Sequence, residues 1–212
     1  MSRPRPWVIV PGIWNSDQEH WQSVWERERG DAAVRIEPAS WAEPDPADWR
    51  DAITRAVAAC PAPPVLVAHS LGVLAVADWL AAGAAHATRA AHAAGAAHAT
   101  GAAGTDGTNR TTRPAVAGAF LVAPPDPDAP GFPRAASGFA APRPLPAGGR
   151  VPTRLVVSDD DPYCTPERAI AFAEAIGATT LRVGALGHVN VASGIGSWPT
   201  GRSLLDDFEA TL

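Results

Sequence analysis

Short runs of consecutive apolar residues alternate along this chain with longer stretches whose apolar positions recur three or four residues apart. The runs Trp7–Val10, Val34–Glu37, Val65–Ala68, Val116–Ala123, Arg154–Ser158 and Thr180–Val183 predict strands. Most lack a polar face, as expected of strands covered on both sides in a parallel sheet. Helical spacing lies between them. Trp21 and Trp25 are four residues apart, and Trp49, Ile53, Val57 and Cys60 repeat behind Asp45-Pro46, a helix-start signal. Ala169–Ile176 and Leu204–Leu212 complete the helical set. This alternation predicts a three-layer, doubly wound α/β domain with a mainly parallel sheet.

One segment departs from the pattern. From Ala84 a six-residue unit, Ala-Ala-His-Ala-Thr-Arg and its variants, repeats and decays toward Pro114. Alanine, glycine and threonine supply no core that could fix metal-ligand geometry, and bulky residues are too few to stack as a β-helix. The segment reads as a low-complexity insertion at about 84–114 within a single 1–212 domain. His86, His92 and His98 therefore leave the search for chemistry, and no metal site is expected.

Composition narrows the function classes. A net charge of −5 argues against a nucleic-acid surface, and the cations are all arginine. Without lysine there is no Schiff-base chemistry and no Walker A motif. Cys60 and Cys164 are too few for a disulfide framework and read as reduced thiols of a cytoplasmic protein. No apolar run approaches the ~20 residues of a membrane span.

The candidate chemistry centres on Val65-Leu66-Val67-Ala68-His69-Ser70-Leu71-Gly72. A strand runs into small-x-Ser-x-Gly and then into helical content, the arrangement a nucleophile elbow needs. The alternative is a buried strand-turn-helix with an incidental serine. An activated serine needs a base, and the base an orienting acid. Outside the repeat, the histidines are His20, His69 and His188. His188 follows the last predicted strand behind Gly187, on the sheet edge that Ser70 would share, and is the candidate base. His69 is expected to point away from Ser70 and shape the pocket wall; His20 reads as an anchoring or pocket residue. The acid is sought in Asp159-Asp160-Asp161-Pro162, after another strand. Asp161, restrained by Pro162, comes first and Asp160 second. The order Ser70, Asp161, His188 is that of α/β-hydrolases. The Leu71 amide at a helix start and the Ile13 amide behind Gly12 are the candidate oxyanion donors, with the Trp14 amide as an alternative to Ile13. Trp14, Tyr163 and Trp198 lie on loops at the same edge and are candidate pocket residues, as is His69.

With these motifs in hand, the chain resembles the small serine hydrolases related to retinoblastoma-binding protein nine, a branch of the α/β-hydrolase superfamily. The resemblance rests on Val10-Pro11-Gly12, Glu19-His20-Trp21, Ala68-His69-Ser70-Leu71-Gly72, Ser158 through Cys164, Gly187-His188-Val189-Asn190 and Ser193 through Pro199. The family's nucleophile, acid and base fall on Ser70, Asp161 and His188. Ala68 stands where the superfamily has glycine, and the 84–114 insertion is no part of the family pattern. The resemblance implies a compact α/β-hydrolase fold and cofactor-free acyl transfer to water from a small-molecule substrate, with carboxylesters first and aminoacyl or other amides second. Setting the insertion aside leaves about 180 residues, little room for a cap domain. The competing class is an interaction module on a hydrolase scaffold. Nothing in the sequence distinguishes a monomer from a homodimer.

Overall fold

A computed structural model describes residues 4–83, 116–145 and 150–212; the Ala84–Pro114 insertion lies outside them. The strands are β1 (Trp7–Val10), β2 (Ala33–Arg35), β3 (Val65–His69), β4 (Gly118–Val122), β5 (Thr153–Val157) and β6 (Thr179–Arg182). They form one sheet of order β2-β1-β3-β4-β5-β6, and every pair is parallel. Helices α1 (Trp21–Arg29), α2 (Pro46–Ala59), α3 (71–83), α4 (Pro166–Ile176) and α5 (Pro199–Glu209) connect or follow them.

Strand alternation sorts the core into two halves. Trp7 and Ile9, Val65 and Val67, and Phe120 and Val122 face α1 and α5, meeting Trp21, Trp25, Leu205 and Phe208. Val8 and Val10, Leu66 and Ala68, and Leu121 and Leu155 face the other helices, meeting Trp49, Ile53, Leu74 and Phe172. The inner strands therefore need apolar residues at every position, and β1, β3 and β4 are buried throughout. The rim strand β6 carries threonines and an arginine on a half-exposed backbone.

Helix starts follow their local chemistry. Asp45 caps α2 by accepting from the Ala47 and Asp48 amides, with Pro46 in the first turn. Thr165 caps α4, whose first residue Pro166 lies three residues ahead of Ala169, where the helical spacing begins. Helix α5 begins at Pro199 rather than Leu204, because proline suits the first helical turn. The fourth strand is shorter than its apolar run, ending where Ala123 turns into the left-handed region at φ 51°. No helix among the described residues is long and apolar enough to cross a membrane.

The chain leaves β1 toward β2 and returns to place β3 on the opposite side of β1. Loops following β1 and β3 therefore diverge, and a crevice opens at the carboxyl edge between them. Gln22, fully buried on α1, ties that helix to β1 and β3 by donating from Nε2 to the carbonyls of Val10 (3.2 Å) and Val67 (3.1 Å).

Candidate active site

Ser70 stands at the end of β3 with φ 54°, a left-handed backbone that few non-glycine residues adopt. Its amide donates to the Val122 carbonyl (3.0 Å), and its carbonyl accepts from the Val73 amide (2.9 Å). The turn is thereby tied to β4 on one side and to α3 on the other. A side chain on Gly72 would run into the carbonyls of Val10 and Pro11, so the start of α3 approaches the β1 backbone only because this position has no Cβ. At Gly12 a Cβ would lie 2.8 Å from the Ser70 Cβ and 3.2 Å from its Oγ. The loop after β1 therefore lies directly alongside the serine.

The loop that carries His188 comes to the same point. His188 Nε2 lies 2.8 Å from Ser70 Oγ, and Nδ1 lies 2.9 and 3.0 Å from the two Asp161 carboxylate oxygens. A neutral imidazole satisfies all these contacts when Nδ1–H donates to Asp161 and Nε2 accepts the serine proton. The His188 and Asp161 side chains are 7% and 4% exposed, so the pair is shielded from water.

The three neighbouring aspartates divide their tasks. Asp159 pairs with Arg182 at the surface (2.7 Å). Asp160 accepts from the Gly187 amide (2.7 Å) and the Ser158 hydroxyl (3.0 Å), while Ser158 Oγ accepts from the Leu186 amide (3.0 Å). Asp160, second in line for the acid from sequence, thus fastens the base loop instead of facing the imidazole. Asp161 faces His188 and also accepts the Tyr163 amide (2.9 Å).

Two backbone donors are free for an incoming oxygen. The Leu71 and Ile13 amides have no acceptor among the described residues, whereas the Trp14 amide is taken by the Trp41 carbonyl (2.9 Å). That removes Trp14 as an alternative donor.

The crevice measures about 940 Å³, and its walls include Ile13, Leu71, Phe132, Tyr163 and Val191. Trp14, 67% exposed, and Tyr163, 44% exposed, are the large apolar side chains left in solvent among the described residues. Both line this crevice. Trp198 does not. It is 6% exposed and stacks on Trp25 at 5.9 Å within the α1–α5 half of the core, because the turn into α5 directs its indole inward.

His69 lines the crevice, as expected, and so does His20. His69 Nε2 lies 2.9 Å from the His188 carbonyl, and its ring sits between those of His188 (4.9 Å) and His20 (4.8 Å). Burial pushes its pKa well below the ordinary histidine value, and the neighbouring His188 and His20 add to that. Burial likewise lowers His20 from 6.5 to about 4, with Asp17 opposing. His20 Nδ1 accepts the Gln22 amide and caps α1. Cys164, buried in the core, is pushed up to about 12 by burial and then by Asp126 and Asp161, which makes it a poor nucleophile. Among the described residues no three His, Cys, Asp or Glu side chains converge as metal ligands would.

Several supporting residues escaped the sequence reading. Asn190 accepts from the Ser193 amide and hydroxyl, and Ser193 Oγ accepts from the His188 amide. The Trp21 indole donates to the Val189 carbonyl (2.9 Å). A polar residue between tryptophans, as at Gln22, was the available signal for a buried helix-to-sheet contact.

The sequence model of the Serine hydrolase family matches residues 7–103 and 84–207. The chain belongs to that family. This serine hydrolase is also similar to a YdeN-like hydrolase from Pectobacterium atrosepticum, with 30% identity over 97% of this chain and 91% of the other, at a TM-score of 0.70. The ydeN gene product of B. subtilis is 19% identical over 98% of this chain and all of its own, at 0.62. Esterase 2 of Thermogutta terrifontis is 15% identical over 98% and 83%, at 0.57. These last two share the α/β-hydrolase fold with the serine hydrolase. No curated protein matches it.

Proposed function

We propose that this serine hydrolase cleaves carboxylesters of small-molecule acyl substrates through an acyl-enzyme. Ser70 is the nucleophile, His188 the base and Asp161 the orienting acid. The observation that carries the reading is one imidazole bridging Ser70 Oγ at 2.8 Å and the Asp161 carboxylate at 2.9 Å. His188 takes the Ser70 proton as the oxygen attacks the ester carbonyl. Asp161 holds the Nδ1–H tautomer and stabilises the imidazolium. The Leu71 and Ile13 amides receive the oxyanion. His188 then gives its proton to the departing alcohol, and a water activated by the same ring releases the acid and restores Ser70.

The volume of the crevice and its aliphatic and aromatic walls suit a compact acyl or alcohol group with an apolar face. No cofactor enters this chemistry. On its motifs the chain is assigned to the branch related to retinoblastoma-binding protein nine, acting in the cytoplasm and not on nucleic acid or membrane.

The test is labelling by a fluorophosphonate probe, with hydrolysis of short nitrophenyl esters, in wild type and Ser70→Ala. Labelling and turnover lost together in the variant are expected. A folded wild type that neither labels nor turns over would overturn the reading and favour a binding module.

A further inference from the structure

The backbone that carries His188 is strained. Val189 has φ 50°, a left-handed conformation that a β-branched residue strongly disfavours. Such a residue persists only where its surroundings over-determine it. Here the surroundings are a set of clamps on consecutive main-chain groups. The His188 amide donates to Ser193 Oγ (3.0 Å), the His188 carbonyl faces His69 Nε2 (2.9 Å), and the Val189 carbonyl accepts from the Trp21 indole (2.9 Å). The Val189 amide is tied to the Leu186 carbonyl (3.1 Å).

Of these clamps, His69 alone belongs to the strand that ends in Ser70. The residue before the nucleophile therefore grips the main chain of the base, 119 positions away in sequence. The His69 ring is held against His20 on one side, and the Trp21 ring meets it edge-on at 5.8 Å. Burial keeps it uncharged, and a carbonyl partner requires the proton on Nε2. Its one donor is thus committed to the His188 carbonyl rather than to substrate.

We propose that His69 is a positioning residue: its Nε2–H bond to the His188 carbonyl, with the Trp21 bond to Val189, holds the strained 188–189 backbone and so sets the imidazole against Ser70. The proposal rests on the Ser70–His188 reading of the site. Without the bond a buried carbonyl is left unsatisfied, Val189 relaxes toward an ordinary backbone, and the ring of His188 shifts. A displacement near 1 Å at such a site costs about 100-fold in rate.

His69→Gln and His69→Met make the test, since the two side chains match in length and only glutamine can donate to the carbonyl. Steady-state hydrolysis of nitrophenyl acetate, fluorophosphonate labelling rates and thermal melts are measured for each. The Met variant is expected to lose about 10- to 100-fold in kcat and in labelling rate, with KM within about twofold. Glutamine is expected to restore kcat to within about threefold of wild type, although both variants melt at similarly lowered temperatures. A Met variant as fast as wild type overturns the proposal. So does a folded Gln variant more than about tenfold slow, which can be read even if the Met variant does not fold. Wild type that neither labels nor turns over overturns the hydrolytic reading itself.

Discussion

Acid should unfold this protein partly through His20, and the contribution can be isolated. The unfolded chain takes up a proton on this imidazole as pH falls through 6.5, whereas the folded protein resists until about 4. Between those values the unfolded state binds more protons, so stability falls as pH falls; above 6.5 the His20 contribution is constant. The gap from 6.5 to about 4, at about 1.4 kcal/mol for each pH unit, is worth about 3.5 kcal/mol. That is a large share of a typical domain's stability, and buried His69 acts in the same direction. His20→Asn keeps an oxygen to accept the Gln22 amide at the start of α1 but removes the titration. The quantity compared is the stability each protein loses on acidification, not its stability at neutral pH. Urea unfolding followed by tryptophan fluorescence at about pH 7 and about pH 4.5 should show the variant losing about 2.5 kcal/mol less than wild type, a difference of about 1 M in midpoint shift. Equal acid sensitivity in the two proteins would refute the reasoning.

Asp161→Asn should lower kcat about 10³- to 10⁴-fold, because an amide no longer enforces the Nδ1–H tautomer, whereas Asp160→Asn should cost about tenfold by loosening the base loop; ester kinetics on both variants separate orienting from fastening. Gly12→Ala places a methyl 2.8 Å from the Ser70 Cβ, so kcat/KM should fall about 100-fold while the melting temperature stays within a few degrees. Trp25→Ala empties a site that is 1% exposed and stacked on Trp198. It should destabilise by about 3–5 kcal/mol, lowering the melting temperature by about 10 °C or more as read by calorimetry.

The legible parts of the fold are those where one physical demand acts on every residue. Strands β1, β3 and β4 need apolar residues on both faces, and their runs announce them. Their ends depend on local backbone, as where Ala123 turns and stops β4 one residue before its apolar run does. The meeting of Ser70 and His188 was legible because both follow strands of a parallel sheet and so reach one edge. Which way a loop residue points was not. Trp14 and Trp198 look alike in sequence, yet one stands in solvent and the other lies within the core, because helix α5 closes over α1 only in three dimensions. Of the adjacent carboxylates, Asp161 was ranked first for the imidazole because Pro162 restrains it, but the task of Asp160, accepting the Gly187 amide, emerges only in the fold. His69 was legible as a wall residue, but its contact with the His188 carbonyl was not, because a main-chain partner leaves no side-chain pattern.

The separation of Ser70 from its two partners has a consequence for synthesis. A nascent chain that has emerged through α3 already carries the serine, its turn and the Gly12 loop, but neither the acid nor the base. On the proposed assignment, reactivity arrives only after residues 161–188 have emerged, β5 has paired with β4 and the 188–189 backbone has been forced into place. Because parallel strands must wait for distant segments to meet, the hydroxyl stays an ordinary alcohol until those segments arrive, and recovered turnover should be the last signal to return when the unfolded protein is renatured.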